Sequence, residues 1–260
     1  MRKYIKFILI AIESAVIFIL LWGNVVTLVK HIETMVLVDS FKAKGVLDEK
    51  KSTKSVKFYK IESDEELPTY LKYGDYIVPG NVGDILVSPK SLMYVSGNTV
   101  IDSFIVGILS WYAGGHAAIA TGDYFSYDIG NANVYSNVES TGMEEGENPA
   151  TLGGRIYWQN RENTEVIGLR CKTTKEERDE LISMATSLVG DPYNYSFIFD
   201  IDNTSYCSDL IAKCYAKIGK NINKDSFATT IYDIIVSGDV YISYYHYFDS
   251  DNVKHIYYLG

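Results

Sequence analysis

The chain opens with a nearly continuous apolar run from Tyr4 to Trp22, preceded by basic residues and carrying aromatic residues at both ends. A helix of this length crosses a hydrocarbon core of about 30 Å, and such flanks are typical of membrane-spanning segments. Residues 1–30 are therefore predicted to form a transmembrane anchor helix, with Glu13 interrupting the run. A cleaved signal peptide is the alternative, since its charged and apolar regions have a similar pattern.

The apolar pattern continues beyond Trp22 at helical spacing as far as Val36, and no small-x-small cleavage pattern follows Trp22. This favours an uncleaved helix that runs on past the membrane. We expect a single-pass membrane protein with its N-terminus inside and its domain extracytoplasmic. Lys30, Lys42 and Lys44 weaken the basic bias on which that orientation depends.

Lys, Asp, Glu and Ser are frequent between Ser40 and Thr69, which is typical of a solvated segment with at most short structure. Residues 31–75 are predicted to be a polar juxtamembrane connector, and residues 76–260 are predicted to form the functional domain.

The domain shows both strand and helix periodicities. Alternation over 133–140 predicts a strand, and Thr174 followed by Glu177 is a capping box that predicts the start of a helix. Similar patterns predict strands in 82–87, from His116 onward, and in 165–171, 240–247 and 254–258, with helices in 99–112, 174–189, 207–218 and 227–236.

Composition excludes several classes of function. The 260 residues carry a net charge of −9, which argues against nucleic acid as a partner because phosphate binding needs basic patches. Three cysteines are too few for a disulfide framework, and the chain has no CxxC pair or histidine cluster to indicate a metal site. It also has no glycine-rich phosphate motif, so no cofactor is expected.

Cys207 is the first candidate for chemistry. It precedes apolar residues at helical spacing, and Gly219 ends the pattern, so Cys207 is expected in the first helical turn. The unpaired N–H groups there favour a thiolate, the reactive form of cysteine. Considered alone, Cys207 is more simply explained as a buried structural cysteine.

A cysteine nucleophile needs a base within hydrogen-bond reach and a third polar group that orients the base. His116 follows two glycines and opens a predicted strand, so its ring can project from a rigid element. Glu139 lies at the end of the next predicted strand, where a carboxylate would favour the imidazolium. The other histidines lie in the juxtamembrane stretch or in the closing strands: His31, His246 and His255.

The motifs GDILV, GHAAIA, NVES, LVGDPYNY and YCSDLIAKCY occur in this order. In sequence and order they resemble the YiiX/YebB-like cysteine hydrolases, a circularly permuted branch of the NlpC-like, papain-related amidases. The resemblance implies an α+β, permuted papain-like (NlpC-like) fold with an antiparallel sheet packed against helices. It implies Cys207 as nucleophile, His116 as general base and Glu139 as the residue that orients the base. Tyr206 and the Cys207 N–H would contribute to an oxyanion site.

The sequence thus predicts a membrane-anchored cysteine hydrolase that cleaves an amide or peptide bond through a Cys-His-Glu triad, with cell-wall peptide as one candidate substrate. A lipid acyl hydrolase or acyltransferase of the same fold stays open, as does a membrane-tethered binding module without turnover. Gly115 and Ala117 stand beside His116 where the family often has Ser and Val. The predicted membrane segment and the Tyr-rich C-terminal strands are further departures from the family, and they leave the substrate's shape open. The sequence does not indicate an oligomeric state.

Overall fold

The structure is a computed structural model that describes residues 2–73, 76–89, 115–120, 135–139, 151–154, 165–194, 201–223 and 228–260. The described helices are α1 (Arg2–Lys42), α2 (Lys175–Ser187), α3 (Cys207–Lys217) and α4 (Ile231–Ile235). The described strands are β1 (Val46–Leu47), β2 (Val56–Ile61), β3 (Tyr70–Tyr73), β4 (Tyr76–Pro79), β5 (Ile85–Ser88), β6 (His116–Ala120), β7 (Tyr135–Glu139), β8 (Thr151–Gly154), β9 (Val166–Cys171), β10 (Val240–Phe248) and β11 (Lys254–Leu259).

Nine of the described strands form one sheet, in the order β1-β2-β11-β10-β9-β5-β6-β7-β8. Neighbours in this sheet are antiparallel except β2 and β11, which run parallel. The sheet is therefore mixed, and the predicted antiparallel sheet is corrected at this one pair of strands. Its parallel pair arises because an upstream strand inserts beside the last strand of the chain. β3 and β4 form a separate antiparallel pair.

The central strands β5 and β9 are buried along their whole length. Such continuous burial requires cover on both faces of the sheet. On one face, Ile85 and Ile119 pack in the main core together with Leu210 of α3 and Leu181 of α2. The main core therefore lies between the sheet and these helices, and it fixes α3 against β6.

The capping box that predicts the start of α2 is confirmed. The Glu177 N–H donates to Thr174 Oγ1 at 3.2 Å, and the Thr174 N–H donates to Glu177 Oε2 at 2.7 Å. The predicted strand over 133–140 corresponds to β7. The helix expected at 227–236 is shorter, spanning Ile231–Ile235, and the helix expected over 99–112 lies outside the described residues.

Residues 31–75 differ from the expected polar connector. β2 lies within them and pairs with β11 as a member of the main sheet. Charged residues mask the strand in the sequence, but Phe58 and Ile61 are buried. Arg170 on β9 also holds this segment, because its Nη1 donates to Glu65 Oε2 at 2.8 Å. Tertiary contacts therefore join part of this stretch to the domain.

The N-terminal pattern correctly predicts a helix that continues past residue 30, since α1 ends at Lys42. Its C-terminal part packs on the domain, where Val38 and Phe41 join the main core. The predicted transmembrane helix is not supported: within the described part of the chain, no helix combines the length and the apolar character needed to cross a membrane.

We predict that Arg170→Met lowers the free energy of unfolding by about 3 kcal/mol or more, because it leaves buried carboxylates without their counter-ion. Arg170 Nε and Nη2 donate to the two carboxylate oxygens of Asp84 at 2.8 and 2.7 Å, and the Asp84 side chain is only 3% exposed. Urea unfolding followed by circular dichroism measures the loss.

Lys175→Met is the matched control, because Lys175 forms an ion pair with Asp179 that is exposed on α2. Its unfolding midpoint should match that of the wild type. Equal midpoints for the two variants would contradict a stabilising role of the Arg170 network.

Candidate active site

Cys207 is the first residue of α3, and the local backbone explains why. Tyr206 before it is extended, with φ −102° and ψ 171°, so helical geometry begins only at Cys207. The Leu210 N–H closes the first turn by donating to Tyr206 O at 2.9 Å. Leu210, Ile211 and Cys214 then bury one face of the helix in the main core. The thiol is thereby fixed at a rigid helix start, and Cys207 is 7% exposed.

His116 is the first residue of β6 and pairs with Ser88 of β5. Gly115 has φ +98°, a left-handed conformation that glycine adopts without steric cost. A Cβ atom on Gly115 would lie 2.4 Å from Cδ1 of Ile231. The chain therefore passes very close to α4 immediately before the buried His116.

The structure brings Cys207 and His116 into contact. Burial alone raises the pKa of the Cys207 thiol, but its hydrogen bond with His116 and the charge of His116 lower that pKa. Hydrogen bonds from the backbone N–H groups of Ala117 and Ser208 lower it further. The pKa of Cys207 is on balance below that of an ordinary cysteine, which favours a thiolate beside an imidazolium.

The sulfur lies at the side of β6 that faces β7. Ala120 N–H donates to Asp84 O, on the β5 side, at 2.9 Å. Successive N–H groups alternate between the two sides of a strand, so the Ala117 N–H points toward the β7 side. In the described pairing with β7, only Ile119 and Ala120 of β6 have partners. The Cys207 sulfur thus accepts a hydrogen bond from the Ala117 N–H, which lies just beyond the residues of β6 that pair with β7.

Glu139 is the last residue of β7, and its backbone pairs with Thr151 of β8. Val138 stands opposite Ile119 in the register between β6 and β7. If this register were continued by one residue, Glu139 would stand opposite Ala118, diagonal to His116. Diagonal neighbours on adjacent strands lie about 7–8 Å apart, within reach of long side chains. The role of Glu139 in orienting His116 stays a prediction.

Tyr206 and Ser208, on either side of Cys207, both bind the main chain of Thr229. The Thr229 N–H donates to the Tyr206 hydroxyl at 2.7 Å, and Ser208 Oγ donates to Thr229 O at 2.6 Å. We call this pair of hydrogen bonds the Thr229 clamp. Burial raises the pKa of Tyr206, so its phenol is protonated at neutral pH. The predicted oxyanion role of Tyr206 is untested.

Sequence reasoning missed Thr229, because no motif marks a residue that acts through its backbone. The Thr229 clamp forms because the chain, after leaving α3, returns to the start of that helix. Asn223 Nδ2 adds support by donating to Thr229 Oγ1 at 2.8 Å.

The other cysteines and histidines have different environments. Burial raises the pKa of Cys214 to about 12 and also raises that of Cys171. Burial lowers the pKa of His246 well below its usual value, so this ring is neutral, and its Nδ1 lies 2.9 Å from the Tyr244 hydroxyl. His255 Nε2 lies 2.9 Å from Asp249 Oδ2. Of the three cysteines, only Cys207 has a lowered thiol pKa.

The described residues contain no group of three or more His, Cys, Asp or Glu side chains that could hold a metal ion. The side chains and backbone of this site supply a thiolate nucleophile, an imidazolium that can donate a proton, and neighbouring hydrogen-bond donors.

Comparison with known proteins identifies a matching family and a similar solved structure. The family described as permuted papain-like amidase enzyme, YaeF/YiiX, C92 family, has a model that matches residues 92–239, more than half of the chain. That range includes His116, Glu139 and Cys207. A crystal structure of the metalloprotein YiiX from Escherichia coli O157:H7 is similar over 62% of this chain and 94% of that chain, with 14% identity and a TM-score of 0.41. No curated protein matches the chain significantly.

We predict that iodoacetamide alkylates Cys207 selectively and that the rate rises with pH around a midpoint below the free-thiol pKa of about 8.5. His116→Ala should move this midpoint upward, because the hydrogen bond and charge that stabilise the thiolate are lost. Peptide mass spectrometry after timed alkylation separates Cys207 from Cys171 and Cys214, which serve as internal controls. An unchanged midpoint in the variant would contradict the contact described above.

We also predict that Gly115→Ala slows alkylation of Cys207, since its new methyl group would displace Ile231 or His116. Gly190→Ala is the control: Gly190 has a similar φ of +102° but no atom within 4 Å of an added Cβ. Both variants should lose about 1–2 kcal/mol of stability from backbone strain. Only Gly115→Ala should change the alkylation rate, so equal rates in the two variants would refute the effect of the close contact.

Proposed function

Because the chain belongs to the YaeF/YiiX (C92) family of permuted papain-like amidases, we propose that it is a cysteine hydrolase with Cys207 as nucleophile and His116 as general acid and base. The observation that carries this proposal is the hydrogen bond between these residues together with the lowered pKa of the thiol. A structural cysteine in the core would have the raised pKa seen for Cys214.

The first half of the proposed reaction forms a thioester. The Cys207 thiolate attacks the carbonyl carbon of the scissile amide, and the C=O electron pair moves onto the oxygen. The product of this attack is a tetrahedral intermediate. When it collapses, the C–N bond breaks and the His116 imidazolium gives its proton to the leaving amine. The acyl group is then bonded to the Cys207 sulfur, and His116 is neutral.

The second half regenerates the enzyme. Neutral His116 takes a proton from water, whose oxygen attacks the thioester carbonyl. The C–S bond then breaks, the carboxylic acid leaves, and the thiolate and imidazolium are restored. In both halves the oxyanion accepts hydrogen bonds from the Cys207 N–H and from Tyr206, whose phenol keeps its proton.

Glu139 is proposed to complete a Cys-His-Glu triad by accepting a hydrogen bond from the second ring nitrogen of His116. Its diagonal position in the β6–β7 register is compatible with that role. A carboxylate there would hold the ring in orientation and stabilise its charged form.

We propose amide bonds of peptides as the substrate class, with cell-wall peptide as the first candidate. The support is the amidase chemistry of the family. Fatty-acyl esters are the competing class, because a thiolate attacks an ester carbonyl by the same steps.

The test compares kcat/KM for a panel of peptidyl amides of aminomethylcoumarin with the values for matched peptidyl and fatty-acyl esters of methylumbelliferone. Cys207→Ala should abolish turnover of the best substrate. His116→Ala should reduce it by about 100- to 10,000-fold, since general acid–base catalysis is lost. Glu139→Gln should cause a smaller loss.

Cys171→Ala is the matched control and should leave kcat/KM unchanged, because its buried thiol has a raised pKa. Full activity of Cys207→Ala would refute the proposed nucleophile. Turnover confined to fatty-acyl esters would refute the proposed substrate class and retain the nucleophile.

A further inference from the structure

The Thr229 clamp connects the nucleophile to the segment that begins α4. Both main-chain groups of Thr229 are bonded to neighbours of Cys207, through the Tyr206 hydroxyl and Ser208 Oγ. These two bonds are buried, at 2.7 and 2.6 Å. Any shift of Thr229 is therefore transmitted to the first turn of α3 on both sides of the thiol.

The same segment also touches the histidine. Ile231, the first residue of α4, packs so closely on Gly115 that an added Cβ would clash with it. Gly115 is bonded in sequence to His116. Hence the segment that begins α4 contacts the neighbours of Cys207 through Thr229, and the neighbour of His116 through Ile231. The position of this segment therefore sets the distance between the Cys207 thiol and the His116 ring.

Asp233 determines where the start of α4 lies. Its Oδ2 accepts hydrogen bonds from the Thr230 N–H and from Thr230 Oγ1, both at 2.6 Å, which caps this short helix. The carboxylate is 4% exposed, so its charge needs a counter-ion. Lys30 of α1 provides it, because Lys30 Nζ forms an ion pair with Asp233 Oδ1.

A second contact joins the same two helices. The His31 ring meets the Tyr232 ring edge-on, with centroids 5.1 Å apart. α1 thus docks on α4 through successive residues, Lys30 and His31, on one side and Tyr232 and Asp233 on the other. If the ion pair is removed, the buried Asp233 carboxylate loses its counter-ion and is drawn toward water, which disturbs the α4 cap.

We propose that Lys30 is a positioning residue for the hydrolase: by neutralising Asp233 it holds α4 and the Thr229 clamp where Cys207 stays hydrogen-bonded to His116. This inference rests on the proposed function and adds a means of regulation to it. Docking of α1 supports the reactive thiol, and release of α1 from α4 weakens it. The sequence offered Lys30 only as one more basic residue near the N-terminal helix.

The test measures iodoacetamide alkylation of Cys207 at pH 6.5 and pH 9, well below the melting temperature of each variant. Lys30→Met should slow alkylation about tenfold at pH 6.5 and little at pH 9, as expected for a thiol pKa raised by about one unit. Lys30→Arg, which keeps the charge, should restore most of the rate. Lys44→Met is the control for net charge, because Lys44 is exposed just beyond α1.

A double variant tests whether the unpaired Asp233 carboxylate causes the loss of rate. Asp233→Asn in the Lys30→Met background removes the unpaired buried carboxylate while keeping an oxygen acceptor for the α4 cap. The proposal expects the double variant to recover most of the lost rate, so that the two changes are strongly non-additive. No recovery would mean that the unpaired Asp233 carboxylate does not cause the loss, and that result would overturn the proposal.

A purely structural role for Lys30 is also distinguishable. In that case Lys30→Met would lower the melting temperature and leave the ratio of alkylation rates at the two pH values unchanged, which would overturn the proposal. Failure of the proposed function has a different signature: Cys207→Ala would keep hydrolytic activity while the alkylation rate of Cys207 still responded to Lys30.

Discussion

The site depends on one buried hydrogen bond, between Cys207 and His116. In this pair each group stabilises the charged form of the other. Neither group would stay ionised alone, since an isolated buried charge costs several kcal/mol. The fold meets this constraint by placing a helix start beside a strand start and by adding the Ala117 and Ser208 N–H groups around the sulfur. The packing of α3 on the sheet therefore has a chemical consequence, because it fixes donors around a thiolate.

A second buried ion cluster has a structural role. Burial opposes the charge on Arg170, but the hydrogen bonds and charges of Asp84 and Glu65 raise its pKa above the usual range. The cluster joins β9 to the turn before β5 and to the segment after β2. Since β5 pairs with both β9 and β6, this cluster supports the strand that carries His116. The Arg170 cluster thus stabilises the sheet, whereas the Cys207–His116 pair supplies the reacting groups.

α4 shows how a short element can have a large effect. Its capping box, Thr230 with Asp233, is a local feature, but its position depends on the Lys30 ion pair from a helix some two hundred residues away in the chain. One end of this short helix meets Gly115, and the residue before its cap holds both neighbours of Cys207. The residues that hold the reacting groups thus come from α3, α4 and β6, and α1 acts on them through α4.

The sequence by itself determined the features that depend on neighbours along the chain. Helical spacing and the Gly219 stop placed Cys207 in the first turn of α3, the glycine pair before a β-compatible run placed His116 at the start of β6, and the order of motifs identified the family. Only the tertiary structure decided the parallel pairing of β2, the packing of α1 on the domain, and the contacts of Thr229 and Lys30. Periodicity reports how a segment presents its side chains, whereas these contacts join segments distant in sequence, and a backbone group such as that of Thr229 leaves no signature in residue type.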